Sequence, residues 1–290
     1  MKNRIKTFLH YLNISIKKPE MEVLPGNLAF FFMMMIIPLL TLLTTIVANL
    51  NISETISLNE GLFSHFPSNI ANIFESIETQ GSSSVSFWAI FIGSLLLASN
   101  GTYSMIVTAN STYGIKKTSY IKNKIKSIIL VIVLVFMFTM LLLIPIINTK
   151  VLDFIARITK TNMATNVFFM LYRLLRYPVL FLFVFIFVKI LYKYSPSGKR
   201  KKRTTYGAVF TSLLLIVTTW GYSLYIEYFS DFETIYGGIS NILFLMMWIN
   251  LIAYIFVLGM NLNAAREKML TEIEEEKNKK EQQDTPLIEK

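Results

Sequence analysis

The chain has 290 residues, of which 53% are apolar and only 16% charged, and its mean hydropathy is +0.52; a soluble domain with a quarter of its residues charged cannot hide that much apolar surface, whereas a bilayer can. A formal charge of +10 leaves nucleic acid and an anionic membrane surface as the two candidate partner classes. With no cysteine, two histidines (His10 and His65) and three aspartates (Asp153, Asp231 and Asp284), disulfides, thiol catalysis and zinc–thiolate sites are excluded and the set for a hydrolase is poor.

The N-terminal segment, residues 1–26, does not read as a cleavable leader. Residues 2–18 have basic ends and apolar Ile5, Phe8, Leu9, Leu12 and Ile16 at helical spacing, with no continuous apolar core and no small-residue cleavage site. Two readings stay open: an amphipathic helix on the cytoplasmic membrane face, or an ordinary cytosolic helix packed on the bundle.

Six stretches then have the roughly 20 apolar residues that a spanning helix needs. They run at about 27–50, 85–110, 127–148, 167–192, 205–228 and 236–263, giving a transmembrane domain over 27–265. The basic residues set the direction. Alternate loops, with both termini, hold 23 of the 28 Lys and Arg; three lie in the opposite loops, and Arg173 and Arg176 are inside a span. An even number of spans with both ends on the basic side is the self-consistent solution, so a bacterial-type inner membrane with both termini cytoplasmic is expected.

Between the spans, Phe66, Ile70, Ile73, Phe74 and Ile77 follow helical spacing, as do Val151, Leu152, Ile155 and Ile158. These predict short interfacial helices outside. The run Lys199, Arg200, Lys201, Lys202 and Arg203 flanks a membrane helix with no aromatic-studded sheet or recognition helix beside it. It therefore reads as topogenic or headgroup-binding rather than nucleic-acid-binding. The expected partners are membrane lipids, with a second copy or an envelope protein left open. The charged cytoplasmic tail, 266–290, is expected to be a frayed helix or disordered beyond Met269.

Two stretches carry a resemblance. One is Tyr194-Ser195-Pro196, a basic run and Tyr206-Gly207-Ala208, then a span ending Tyr225-Ile226-Glu227-Tyr228-Phe229. The other is Ile235-Tyr236-Gly237-Gly238-Ile239, a span containing Trp248, then Leu258-Gly259-Met260-Asn261-Leu262-Asn263-Ala264. Together they resemble the YihY/BrkB family of bacterial inner-membrane proteins, also filed under the labels ribonuclease BN and virulence factor. The ending Ile36-Ile37-Pro38-Leu39-Leu40 fits the family's first span. The resemblance covers about Leu9 to Arg266 and implies an all-α fold, one bundle of six transmembrane helices with amphipathic interfacial helices. Family members usually carry Gly-Ala-Glu-Leu-Asn near the end of the last helix. Here Asn261 stands in place of the acid, so a proton or cation role that depends on a carboxylate there does not carry over.

Ionisable groups inside a span are costly and are functional candidates by default. Arg173 and Arg176, with Tyr177 beside them, share a helix face, and Glu227 near the outer end of span five is a candidate partner. Snorkelling or a structural ion pair is the bland reading; a phosphate-binding role suits Arg chemistry. On the last helix Gly237, Gly238, Asn241, Trp248, Gly259 and Asn263 form a stripe about 100° wide, while Asn250 points the opposite way. Tyr236 and Asn261 are further helix-packing or path-lining candidates there. It predicts a packing seam, with a polar path wall as the competitor. Pro38, Pro145 and Pro178 interrupt spans, and span two carries a small, polar run that includes Asn100.

The expected activity is translocation of a lipid or other amphiphilic or anionic substrate, with no ATPase motif and no cofactor or metal set. A non-catalytic scaffold or partner subunit in envelope assembly is the alternative. Ribonuclease chemistry is the least supported, because the cytoplasmic acids Glu20, Glu22 and those from Glu267 to Glu289 share no spacing with a histidine that suggests a site.

Overall fold

The computed structural model describes residues 2–17, 20–49, 84–116, 118–137, 139, 162–198, 203–228 and 238–284. Side chains at several helix ends, 43–49, 84–87, 162–177, 226–228 and 238–241 among them, fall outside that description. Both predicted interfacial helices of the outer loops, around 66–77 and 151–158, lie outside the described residues. Among the described residues the fold is all-α, with seven helices and no strand. They are α1 (Lys2–Ile16), α2 (Glu20–Asn49), α3 (Ser84–Thr112), α4 (120–137), α5 (Asn162–Tyr194), α6 (Thr205–Tyr228) and α7 (Gly238–Asp284).

The ends of these helices follow local chemistry. Thr204 precedes α6, and its carbonyl accepts the first helical bond, from Ala208 N at 3.1 Å, as an N-cap residue should. α3 closes with Ile115 N donating to Asn110 O at 2.8 Å and Gly114 N to Ser111 O at 3.0 Å. Gly114 there takes a φ of +68°, the left-handed C′ position that favours glycine.

Among the described residues, four helices are long and apolar enough to cross a membrane, over Met21–Leu39, Phe91–Thr112, Thr205–Tyr225 and Ile242–Lys279. The predicted spans at 127–148 and 167–192 fall on α4 and α5; residues 140–160 lie outside the described set. The helices pack with an interior built on Leu28, Leu42, Met105, Ile106, Val131, Val188 and Val257, all nearly inaccessible. Outside it, Phe30, Trp88, Leu97, Phe136, Val217 and Trp220 are exposed, an apolar girdle that hydrocarbon, not water, would cover.

α2 lies along α3 and α7, and α6 along α5 and α7. α4 is tied to α3 by Thr102 Oγ1 donating to Ser127 O at 2.8 Å. α1 packs on the far part of α7, where Tyr11 OH donates to Glu272 Oε2 at 2.9 Å. α7 itself continues as one helix to Asp284. The tail therefore adds about 30 Å of rod beyond Ala264 at 1.5 Å per residue, where the sequence suggested fraying. Glu275 and Glu276 precede Lys279 and Lys280 by four positions, the orientation that supports an exposed helix, and α1 covers part of its length.

Candidate functional site

The site grows from the α6–α7 pair. Gly207 N donates to Asn263 Oδ1 at 2.8 Å. Fifteen residues further along α6, Tyr222 stacks on Trp248, with ring centroids 5.3 Å apart; Trp248 is fifteen residues back along α7 from Asn263. The equal steps define a straight antiparallel pair held in register over about 22 Å.

Glycine makes that approach close enough. A Cβ on Gly207 would overlap the carbonyl oxygen of Gly259, and one on Gly259 would overlap Thr211 Oγ1 and the Tyr192 hydroxyl. Tyr192 is buried where α5, α6 and α7 converge. Its hydroxyl shares a 2.6 Å hydrogen bond with Thr211 Oγ1 and donates to Phe256 O at 2.8 Å, and its ring tilts against Phe256 with centroids 4.7 Å apart.

Next to this hub, the turn after α5 is clamped by α3 and α4. Ser197 N donates to Asn110 Oδ1 at 2.7 Å, Asn110 Nδ2 donates to Ser197 Oγ at 3.2 Å, and Ser197 Oγ donates to Asn123 Oδ1 at 2.8 Å. Lys126 Nζ donates to the carbonyls of Ser195 and Pro196 at 2.8 and 2.9 Å. The ends of α3 and α5, the starts of α4 and α6, and α7 near Asn263 are thereby gathered at one end of the bundle. Both basic connections, α3 to α4 and α5 to α6, lie there and are tied together by this polar network. Arg266 stacks over the Tyr206 ring at 3.5 Å on its rim.

Among the described residues, four buried side-chain atoms have no hydrogen-bond partner: Ser104 Oγ and Thr108 Oγ1 on α3, and Trp248 Nε1 and Asn263 Nδ2 on α7. Thr108 is two residues from Asn110 and Ser104 six, so both lie just inside the clamp. Trp248 and Asn263 differ by about 60° of helical phase and so face one side of α7. Buried polar atoms are normally paired, and more strictly so in a membrane interior.

The candidates from the sequence fall into three groups. Trp248, Gly259 and Asn263 meet at the α6–α7 seam. Asn261 is buried, its Nδ2 donating to Val257 O and lying 2.9 Å from Met21 Sδ of α2, so the amide that replaces the family's acid serves helix packing. Asn100 instead stands on the outer side of α3, where its Oδ1 accepts from Lys124 Nζ at 2.7 Å, and Pro38 sits within an unbroken α2, half-buried. Tyr236 and Gly237 lie outside the described residues, as do the side chains of Arg173, Arg176, Tyr177, Glu227, Gly238 and Asn241. Sequence reading missed the clamp: Asn110, Asn123, Lys126 and Ser197 come from the end of α3, the start of α4 and the turn after α5, and only Tyr194-Ser195-Pro196 hinted at it. It also missed Tyr192, one aromatic among many in its span.

The Virulence factor BrkB family model matches residues 15–285. The chain is 28% identical over 253 residues to the ribonuclease-like protein YfkH of Bacillus subtilis (strain 168), covering 84% of this chain and 89% of that protein. It is 40% identical over 58 residues to the UPF0761 membrane protein PSHAa0171 of Pseudoalteromonas translucida (strain TAC 125), a match limited to 20% of this chain and 19% of that one. No solved structure matches. The family match takes in α2 to α7, every element that builds the site, and the chain belongs to the BrkB family of membrane proteins.

Proposed function

We propose that this protein is a six-span translocator of the bacterial cytoplasmic membrane, with both termini inside, that moves an anionic or amphiphilic substrate without an ATPase of its own. The observation that carries this reading is the set of unpaired polar atoms buried inside the spans. Two of them, Trp248 Nε1 and Asn263 Nδ2, are pure donors, and a donor-lined interior suits an acceptor-rich group such as a phosphate or carboxylate. The clamp at Asn110, Asn123, Lys126 and Ser197 acts as the closed inner gate.

Arg173 and Arg176 on α5 are the substrate-binding candidates, being ionisable groups within a predicted span. Arg176 and Glu227 each stand sixteen residues from the Tyr192–Thr211 contact, on α5 and α6, and so share a level.

The test is movement of a fluorescent anionic phospholipid across proteoliposomes. Wild type should accelerate it over protein-free vesicles, and Arg173→Gln should remove the gain with folding preserved. No acceleration would sink the reading for this substrate class. One observation favours a partner-subunit role in envelope assembly instead: the α7 rod, which with α1 forms a cleft of about 600 Å³ lined by Tyr11, Tyr113, Glu267 and Glu272. Deletion of 1–17 would then abolish partner recovery while leaving lipid movement unaltered. The ribonuclease word belongs to the name of a relative; for this chain we propose a non-enzymatic role.

A further inference from the structure

α7 carries a second polar feature, on the side turned away from α6. Asn250 is exposed there, twelve residues after Gly238 and thirteen before Asn263, hence about 18–20 Å from each and near the middle of the span. Its amide has no hydrogen-bond partner among the described residues. Tyr254, one turn further on, is exposed as well. Both line a groove of about 660 Å³ between α2 and α7, with Gly26 and Ala29 on the α2 side and Met246 and Met247 on the α7 side.

Acyl chains could fill this groove, but they would leave two amide N–H donors and a carbonyl acceptor dry in hydrocarbon, which interhelical pairing relieves. An Asn amide is both donor and acceptor, so two identical copies related by a two-fold axis near position 250 satisfy each other with no other group needed. The groove has room for such an approach: a Cβ added at Gly26 would meet nothing within 4 Å. Met246 and Met247, 46% and 51% exposed, supply flexible side chains to fill the facing groove. We propose that the α2–α7 groove is the interface of a homodimer, with the Asn250 amides of two copies paired at its centre. This inference does not depend on the translocation reading.

The chain contains no cysteine, so single thiols report on contacts without background. In proteoliposomes, Met247→Cys should form an oxidative dimer quickly, and Trp220→Cys, exposed on α6, should not. Adding Asn250→Leu should weaken dimerisation by about 3- to 30-fold, the range expected for losing interhelical hydrogen bonds in a bilayer, and Asn250→Gln should recover part of it. Leucine at a lipid-facing position is benign for folding. Cross-linking at Met247→Cys no faster than at Trp220→Cys, or association indifferent to Asn250→Leu, would overturn the proposal. So would a single-chain mass with lipid bound in native mass spectrometry.

Discussion

The amide of Gly207 donates to the side-chain oxygen of Asn263 at 2.8 Å, so the first turn of α6 is capped by a residue from α7 rather than by its own neighbours. That turn would otherwise leave an orphan donor inside the protein. Asn263→Leu removes the acceptor and keeps the bulk. It should destabilise the fold by about 1–3 kcal/mol, the cost of a buried unsatisfied donor, measured by reversible unfolding in mixed micelles. An unchanged midpoint would show that the bond contributes nothing.

Gly259 faces Thr211 and Tyr192 with no room for a side chain, whereas Gly93 opens onto empty space. Gly259→Ala should therefore cost about 1–3 kcal/mol through overpacking. Gly93→Ala should stay within about 0.5 kcal/mol, as surface changes do. Equal effects in the same unfolding assay would contradict the close α6–α7 crossing.

Tyr192 links three helices through one hydroxyl. Tyr192→Phe should lose about 1 kcal/mol, and Thr211→Val a similar amount. Because both act on one bond, the double variant should lose less than their sum. Full additivity would mean that the Tyr192–Thr211 pair is not a coupled unit.

Outside the membrane, the Tyr11 phenol is held above its ordinary value of 10.0, first by its hydrogen bond to Glu272, then by partial burial and the charges of Glu272 and Glu276. A raised folded value means that the proton is held more tightly when α1 is docked. The contribution is complete below about pH 10 and is lost as pH rises through the folded value. A fluorophore on α1 should report steady docking from pH 7 to 9 and release at higher pH. Tyr11→Phe should abolish that alkaline step while leaving other titrations in place.

The helices were legible because bilayer spans advertise themselves by length and apolarity. The prediction of 205–228 coincides with α6, and 85–110 lies within Ser84–Thr112. The α7 stripe was legible for the same reason, since Trp248, Gly259 and Asn263 recur at helical phase. What periodicity does not encode is contact between distant loops. The Asn110–Ser197–Asn123 clamp joins residues up to 87 positions apart, and nothing in their local spacing marks them as partners. Asn100 shows the opposite error: its small, polar neighbours suggested an interior position, but one step of phase puts it outside, within reach of Lys124. The long α7 extension was missed because its composition alone resembles a solvated tail, and its support comes partly from α1, 261 residues away at the Tyr11–Glu272 bond.

Whether the buried polar interior is a path can be read most directly from its access to water. In this cysteine-free chain, Ser104→Cys and Thr108→Cys are near-isosteric probes just inside the Asn110–Ser197 clamp, and Val131→Cys, equally buried but within the apolar core, is the control. A small charged thiol reagent in proteoliposomes should modify the first two and spare the third, and an added anionic amphiphile should slow the modification. If Ser104→Cys and Thr108→Cys are as inert as Val131→Cys in folded protein, the interior is sealed packing and the translocation account is wrong.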